Sequence, residues 1–201
     1  RNHGIYWIDR FGNKELIYRD EQIACIDPIP VRPRQKPPVI PDQTVQTLAA
    51  RQRSADPDPP ATVSLLNVYD SDFAWPLGTR IAALRVIQVL PKTTPAPNDP
   101  RIGVANQTNA RAVLGTVPVE ADGSARFLVP ARKPLLFQAL DADGFAWQTM
   151  RSVTYLQPGE RVSCVGCHEP KMTAPPPTGS EPQALGRAPS AIDPGRWGGR
   201  P

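Results

Sequence analysis

The sequence lacks several features that would assign it to a common class of protein. It has no run of about 18 uncharged apolar residues, the length that a membrane-spanning helix needs. The N-terminal residues do not show the charged and then apolar pattern of a signal peptide. No long segment has apolar residues at a helical period, so the sequence predicts a β-rich fold and not a helical one. We therefore expect a soluble, β-rich protein without a membrane span.

Charge of one sign is not concentrated in the chain either. The 23 Lys and Arg residues and the 19 Asp and Glu residues are interspersed and leave a formal net charge of +4. The one local basic cluster, formed by Arg32, Arg34 and Lys36, lies among prolines and has no interleaved aromatic residues of the kind that stack on single strands. Such a run is usually a solvated linker. We therefore do not expect nucleic-acid binding.

Proline, in contrast, is abundant: it accounts for 26 of the 201 residues and clusters outside the hydrophobic runs. Proline-dense segments disfavour helices and central strands, so packed structure is expected in only part of the chain. The predicted organisation is a β-hairpin at residues 1–25, a proline-rich strap at 26–60, a β-sandwich at 61–163, a cysteine-containing segment at 164–173 and a proline-rich tail at 174–201. Residues 44–53 could form a short helix, and the tail is expected to be disordered or to wrap around the domain.

Short β-favouring runs, with turn residues about every ten positions, predict an all-β fold of six or seven strands. We expect an antiparallel β-sandwich of the immunoglobulin or transthyretin type, with long proline-rich extended arms. Gly12 and Asn13 predict the tight reversal of the N-terminal hairpin. Two further hairpins are predicted, from residues 113–120 with 124–129 and from residues 135–140 with 145–150. Ala125, Phe127 and Val129 alternate and are expected to point into the core.

The most informative motif is Cys-Val-Gly-Cys-His at residues 164–168. Its spacing lets Cys164 and Cys167 form thioethers with the two vinyl groups of a haem, and it lets Nε2 of His168 reach the iron from the proximal face. The motif predicts one covalent c-type haem, bound by these three residues. No catalytic residue is assigned.

Other uses of these residues stay open. A structural zinc site at Cys164, Cys167 and His168 would need a fourth ligand, for which Cys25 and His3 are the obvious candidates. A redox dithiol normally lies at a helix N-terminus in a βαβ setting, which a chain of strands and prolines does not offer. A disulfide across two intervening residues would be strained. Haem c is therefore the favoured interpretation.

The second axial ligand of the iron is left open between Met150, Met172 and His3. Met172 follows His168 by four residues, a reach of at most about 14 Å, so replacing His168 is easier than opposing it. An open iron position would permit chemistry on a substrate, whereas two strong ligands favour electron transfer. Cys25 is interpreted as a buried structural cysteine, with metal binding or pairing with another chain as alternatives.

The haem interpretation also predicts a compartment and partners. Because haem c is attached outside the cytoplasm in bacteria, we expect a periplasmic or extracellular protein. The extended proline-rich segments have no core of their own and are expected to lie along other protein subunits, which we expect to be redox or multihaem proteins.

Two groups of short segments carry a resemblance to a known family. The first group comprises residues 11–14, 16–19, 25 and 28–34, and the second comprises residues 117–124, 138–144, 148–152 and 164–170. They resemble the hydrazine synthase alpha subunit family: the first group is similar to the end of its β-propeller, and the second is similar to its middle domain. The resemblance covers most of residues 4–175, and residues 164–170 are its most specific part.

The resemblance implies a particular metal site. In this family the middle domain carries a c-type haem whose motif histidine turns away to bind zinc, while a tyrosine four residues later coordinates the iron. The matching positions are His168 and Met172, so the tyrosine is replaced here. Cys25 matches a cysteine that would join such a zinc site. The chain has no full propeller and no second Cys-X-X-Cys-His motif, so we do not expect it to synthesise hydrazine alone.

Three functions follow from these observations. The first, which we favour, is electron transfer or haem anchoring by a single-haem domain of a larger extracytoplasmic redox complex. The second is a catalytic haem domain of a hydrazine-synthase-like enzyme that acts on small nitrogen species. The third is a non-redox interaction module with structural zinc at Cys164, Cys167 and His168.

Overall fold

The computed structural model describes residues 3–39, 43–105, 108–168, 172 and 179–195. The chain divides into two compact units, Arg1–Ile40 and Pro41–Pro201. Among the described residues, no helix is long and apolar enough to cross a membrane.

The first unit contains the N-terminal hairpin. Its strands, β1 (Ile5–Ile8) and β2 (Lys14–Tyr18), pair in antiparallel fashion. Asp9 closes the turn, because its carboxylate accepts hydrogen bonds from the backbone N–H of Phe11 at 2.8 Å and of Asn13 at 2.9 Å. The Asn13 side chain also donates to this carboxylate and, ahead of the backbone bonds, lowers the pKa of Asp9. The turn predicted at Gly12 and Asn13 is confirmed.

The second unit contains one helix, one 3₁₀ helix and eight strands in its described residues. The helix α1 (Leu48–Arg53) is capped by Thr47, whose hydroxyl accepts a hydrogen bond from Ala50 N at 3.1 Å. The strands are β3 (Ala61–Leu65), β4 (Ala83–Val89), β5 (Arg111–Pro118), β6 (Ala125–Val129), β7 (Pro134–Leu140), β8 (Ala146–Thr149), β9 (Thr154–Tyr155) and β10 (Arg161–Cys164). The 3₁₀ helix is Gln183–Gly186.

The eight described strands of the second unit form two sheets. One has the order β10-β3-β6, and the other has the order β5-β4-β7-β8 with β9 also paired to β7. All strand pairs are antiparallel except β10 with β3, which is parallel. The all-β, sandwich-like fold is confirmed.

The core lies between the two sheets. Phe127 on β6 is fully buried, and its ring meets that of Phe137 on β7 edge to face, with the centroids 5.5 Å apart. Ala125 and Val129, which flank Phe127 in the alternating pattern, are also buried. The predicted inward alternation is confirmed, because every second residue of a strand points to the same face.

The predicted hairpin of residues 113–120 and 124–129 is wrong. The tight turn does form, since Glu120 N donates to Ser124 O at 2.8 Å and Gly123 N donates to Glu120 O at 2.9 Å. However, β5 pairs with β4 in one sheet and β6 pairs with β3 in the other. The turn therefore carries the chain from one layer of the sandwich to the other. The second predicted hairpin, β7 with β8, is confirmed.

The described part of the tail lies against the sandwich. Asp193 exchanges two backbone hydrogen bonds with Thr116 on β5, and Ser190 pairs with β6 through Leu128 N and Arg126 O. Gly115 has a φ of 140°, and a Cβ there would lie 2.3 Å from the carbonyl oxygen of Asp193, so only glycine permits this approach. Because β5 and β6 are edge strands of their sheets in the described part of the chain, the tail covers one outer edge of each sheet.

Two side chains hold the 3₁₀ helix of the tail. Ser124 Oγ accepts a hydrogen bond from Ala184 N at 2.9 Å and donates one to Asp122 Oδ1 at 2.6 Å. Asp122 Oδ2 accepts one from Gln183 N at 2.8 Å. Burial opposes the charge of Asp122, but these hydrogen bonds together lower its pKa below the ordinary value. An ionised Asp122 therefore stabilises the docked tail.

Candidate functional site

The Cys-X-X-Cys-His segment begins inside a strand. Strand β10 runs parallel to β3 and ends at Cys164, opposite Leu65. The pairing continues beyond the strand, because Leu66 N donates to Cys164 O at 2.9 Å and Asn67 N donates to Val165 O at 3.1 Å. The first half of the motif is therefore fixed along one edge of the three-stranded sheet.

The second half of the motif is held by the segment that follows β3. Cys167 N donates to Asp70 O at 3.0 Å, and Asp72 N donates to His168 O at 2.8 Å. Ser71 and His168 form an isolated parallel β-bridge. The segment at residues 70–73, which we call the cradle, thus sets the backbone position of both Cys167 and His168.

Gly166 allows this close contact. A Cβ at this position would lie 1.9 Å from the carbonyl oxygen of Asp70. Cβ atoms in proteins essentially never come this close to another heavy atom outside their own residue and its chain neighbours. Glycine at this position therefore lets the motif backbone pack on the cradle.

The two motif cysteines are half-buried and pack against the hydrophobic core. Val162 on β10, Tyr69 and Trp75 are also partly buried residues that pack on the core. Each cysteine thus has one side toward the protein interior and retains some exposure. This environment suits thiols that become joined to a large apolar group lying on the domain surface.

His168 lies at the surface, next to two residues of the cradle. Its side chain is 52% exposed, and Nδ1 lies 3.5 Å from Oδ2 of Asp72, whose side chain is 44% exposed. The ring of Phe73 lies 4.6 Å from the imidazole, centroid to centroid, at an angle of 51°. An imidazole, a carboxylate and an exposed aromatic ring are therefore adjacent.

These residues fit a c-type haem by their chemistry. Two thiols with two residues between them and a neighbouring imidazole form the donor set that thioether attachment and iron ligation require. The aromatic ring of Phe73, 52% exposed beside His168, provides an apolar surface. Among the described residues, no group of three or more His, Cys, Asp and Glu side chains is close enough to hold a metal ion.

The other candidate ligands lie in different places. Met172 is 94% exposed, and Met150 follows β8, half-buried, with its backbone N bonded to Phe137 O at 3.0 Å. Cys25 and His3 belong to the first unit, where Cys25 N donates to His3 O at 2.9 Å. Their roles as a second iron ligand or a zinc ligand stay predictions.

The sequence alone does not identify the cradle. Asp70, Asp72 and Phe73 lie about a hundred positions before the motif, and no spacing rule connects them with it. Only the parallel pairing of β10 with β3 brings them together. The Asp-Ser-Asp-Phe sequence alone is typical of a polar turn.

The fold and this segment define a β-sandwich domain that presents a Cys-X-X-Cys-His motif at the end of a strand. Residues 79–169, which include the motif, match the family model of the hydrazine synthase alpha subunit middle domain. This part of the chain is therefore similar to the middle domain of that family, as the resemblance indicated.

A solved structure is similar to this chain over most of its length. Hydrazine synthase from Kuenenia stuttgartiensis matches 91% of this chain with a TM-score of 0.60 and 23% sequence identity. At this identity the similarity shows the fold. The match covers 29% of that protein's chain, so the present chain spans less than a third of the length of that relative. A search of curated proteins found no match.

Proposed function

We propose that this chain is an extracytoplasmic haem-binding domain that carries one c-type haem on Cys164 and Cys167. The observation that supports the proposal most is the placement of residues 164–168. The backbone of the motif is fixed by β3 and the cradle, the thiols are half-buried, and His168 is exposed. A bound c-type haem supplies one-electron redox chemistry and, where an iron position is open, ligand chemistry.

The residues of the chain would perform three tasks. Cys164 and Cys167 would hold the haem, since each thiol could add across one vinyl group, with the sulfur on one carbon and the hydrogen on the other, so that no atom would be lost. His168 presents an imidazole beside the second attachment point. The core contacts of Cys164 and Cys167 fix the attachment points against the sandwich. A group attached here would have a set orientation, which favours electron transfer to or from a partner subunit.

The proposed setting is a larger redox complex outside the cytoplasm. The family match supports partner subunits, because hydrazine synthase alpha is by its description one subunit of an assembly. The exposed apolar side chains of the N-terminal hairpin, such as Trp7 and Phe11, support the same view, since large apolar residues at a surface often mark interaction sites. The proposed periplasmic or extracellular location rests on the proposed covalent attachment, because haem c is attached outside the cytoplasm in bacteria.

The attachment can be tested by mass spectrometry of the denatured protein after co-expression with a periplasmic haem-attachment system. The wild-type protein is expected to carry the mass of one haem. The double variant Cys164→Ala with Cys167→Ala should lose it, while Cys25→Ala, a matched control outside the motif, should keep it. Attachment that survives the double variant would contradict the proposal, and zinc in a colourless wild-type protein would favour the structural zinc module.

A second candidate function is catalysis on small nitrogen species. It is favoured by the match of residues 79–169 to the middle domain of the hydrazine synthase alpha subunit. Carbon monoxide separates the two candidates. Rapid binding by the reduced protein with high-spin iron would favour catalysis, whereas a low-spin spectrum that carbon monoxide leaves unchanged would favour electron transfer.

A further inference from the structure

We propose that Asp72 and Phe73 are positioning residues for His168, which hold its imidazole through Nδ1 and one ring face and so leave Nε2 as the metal-binding nitrogen. The inference rests on the proposed function only where the metal is haem iron. The orientation itself is a property of the protein without its cofactor and can be tested there.

The backbone places Asp72 beside His168 independently of either side chain. Asp72 N donates to His168 O at 2.8 Å, and the preceding residue, Ser71, forms a β-bridge with His168. A further backbone bond, from Cys167 N to Asp70 O, fixes the neighbouring residue pair. The backbone pairing therefore fixes the register of the two segments and places the side chains of Asp72 and His168 next to each other.

The carboxylate of Asp72 faces one particular nitrogen. Oδ2 lies 3.5 Å from Nδ1 of His168, a separation within the range of ion pairs and longer than a typical hydrogen bond. A carboxylate only accepts hydrogen bonds, so its proximity favours the tautomer of neutral histidine that carries the proton on Nδ1. In that tautomer Nε2 has a free lone pair, which metal ligation requires.

Phe73 restricts the ring from a second direction. Its centroid lies 4.6 Å from that of the imidazole, in a tilted arrangement. The imidazole would have to pass the ring of Phe73 in order to rotate. The two contacts that the structure describes for the imidazole thus involve Nδ1 and the ring face. Neither involves Nε2, which is the nitrogen that we propose for metal binding.

The tautomer can be measured directly by nitrogen NMR of the full chain without haem. The sequence has two histidines, His3 and His168, so the His3 signals serve as an internal reference once a His3→Gln variant has assigned them. At a pH where both imidazoles are neutral, we expect His168 to carry its proton mainly on Nδ1. Asp72→Asn should lower the ratio of the Nδ1–H form to the Nε2–H form about two- to fivefold, the range expected for a solvent-exposed charge contact.

Asp70→Asn is the matched control, because it removes the same charge two residues away and leaves the Asp70 carbonyl that binds Cys167 N in place. It should leave the ratio unchanged, and backbone amide shifts will show whether each variant is folded. An Nε2–H tautomer in the wild-type protein, or equal ratios in Asp72→Asn and Asp70→Asn, would overturn the inference.

The haem-loaded protein provides a second readout. A carboxylate near Nδ1 makes an imidazole a stronger donor, so the reduction potential should shift upward in Asp72→Asn more than in Asp70→Asn. Phe73→Ala should broaden the electron paramagnetic resonance signal of the ferric protein, because the imidazole can then adopt several orientations. Equal shifts in the two Asp variants and an unchanged signal in Phe73→Ala would contradict the positioning role. Absence of covalent haem would instead contradict the proposed function, and the NMR experiment would still decide the inference.

Discussion

Replacement of Gly166 by alanine tests the contact between the motif and the cradle. The added methyl group would lie 1.9 Å from Asp70 O, and the carbon of that carbonyl would be 2.8 Å away. Both atoms belong to the backbone, so no side-chain rotation can relieve the overlap. The segment at residues 164–168 must therefore move away from the cradle.

The expected cost follows from two contributions. Forcing a methyl group into an occupied site typically costs about 1–3 kcal/mol of folding free energy. The movement also weakens the hydrogen bond from Cys167 N to Asp70 O, for which about 0.5–1.5 kcal/mol is typical. We therefore expect Gly166→Ala to lower the free energy of unfolding of the second unit by roughly 2–4 kcal/mol.

Urea denaturation of the haem-free protein, followed by near-UV circular dichroism, measures this change. Gly186→Ala is the matched control, because a Cβ at that position has no heavy atom within 4 Å and the effect should stay within about 0.5 kcal/mol. The amount of haem attached to each variant in the cell is a second readout and should fall for Gly166→Ala only. Equal stability of the two variants would refute the proposed contact.

Three further substitutions test the sandwich and the docked tail. Phe127→Ala should destabilise the second unit by about 3–5 kcal/mol in urea denaturation, because the ring is fully buried and packs on Phe137. Ser124→Ala should cost about 1–3 kcal/mol and expose the tail to proteases, because Ala184 N loses its buried acceptor. Asp122 has a lowered pKa, so its stabilisation of the tail is present above the unfolded-state pKa and is lost as the pH falls through the folded-state value. Limited proteolysis should therefore show acid-induced release of the tail in the wild type, whereas Asp122→Asn should remove this dependence.

Each of these has its own control. Exposed Phe145, replaced by alanine, should change the unfolding free energy little compared with Phe127→Ala. Ser163→Ala, at an exposed position of β10, is the counterpart of Ser124→Ala. Asp143→Asn removes a carboxylate from the exposed turn between β7 and β8 and should leave the proteolysis profile of the tail unchanged. A tail that is cleaved at the same rate in Ser124→Ala and in Ser163→Ala would contradict the described docking.

Much of the sandwich could be predicted because local patterns determine it. The alternation of Ala125, Phe127 and Val129 gives one buried face, and the turn around Gly144 joins two strands that do pair. A turn, however, fixes only a local reversal. The turn at Gly123 has the same chemistry, yet the strands beside it enter different sheets. Which outcome occurs depends on contacts with β3 and β4, and the local sequence does not contain them.

The candidate site could be predicted only in part, for a similar reason. The chemistry of Cys164, Cys167 and His168 is contained in their own spacing. The contacts of the motif with Asp72 and Phe73 depend on a parallel strand pair that joins residues about a hundred positions apart. The docking of the tail could not be predicted either. It depends on backbone hydrogen bonds and on the small buried residue Ala184, and neither produces an apolar periodicity in the sequence.

The central claim is that Cys164 and Cys167 carry a covalent haem, and the pyridine haemochrome spectrum of the denatured 201-residue chain tests it most directly. We predict one haem per chain with an absorption band of the type given by two thioether bonds, and a band shifted toward that of a single thioether in Cys164→Ala or Cys167→Ala. A wild-type protein that yields no haemochrome after denaturation and extraction, although the attachment system loads a control cytochrome in the same cells, would contradict the account.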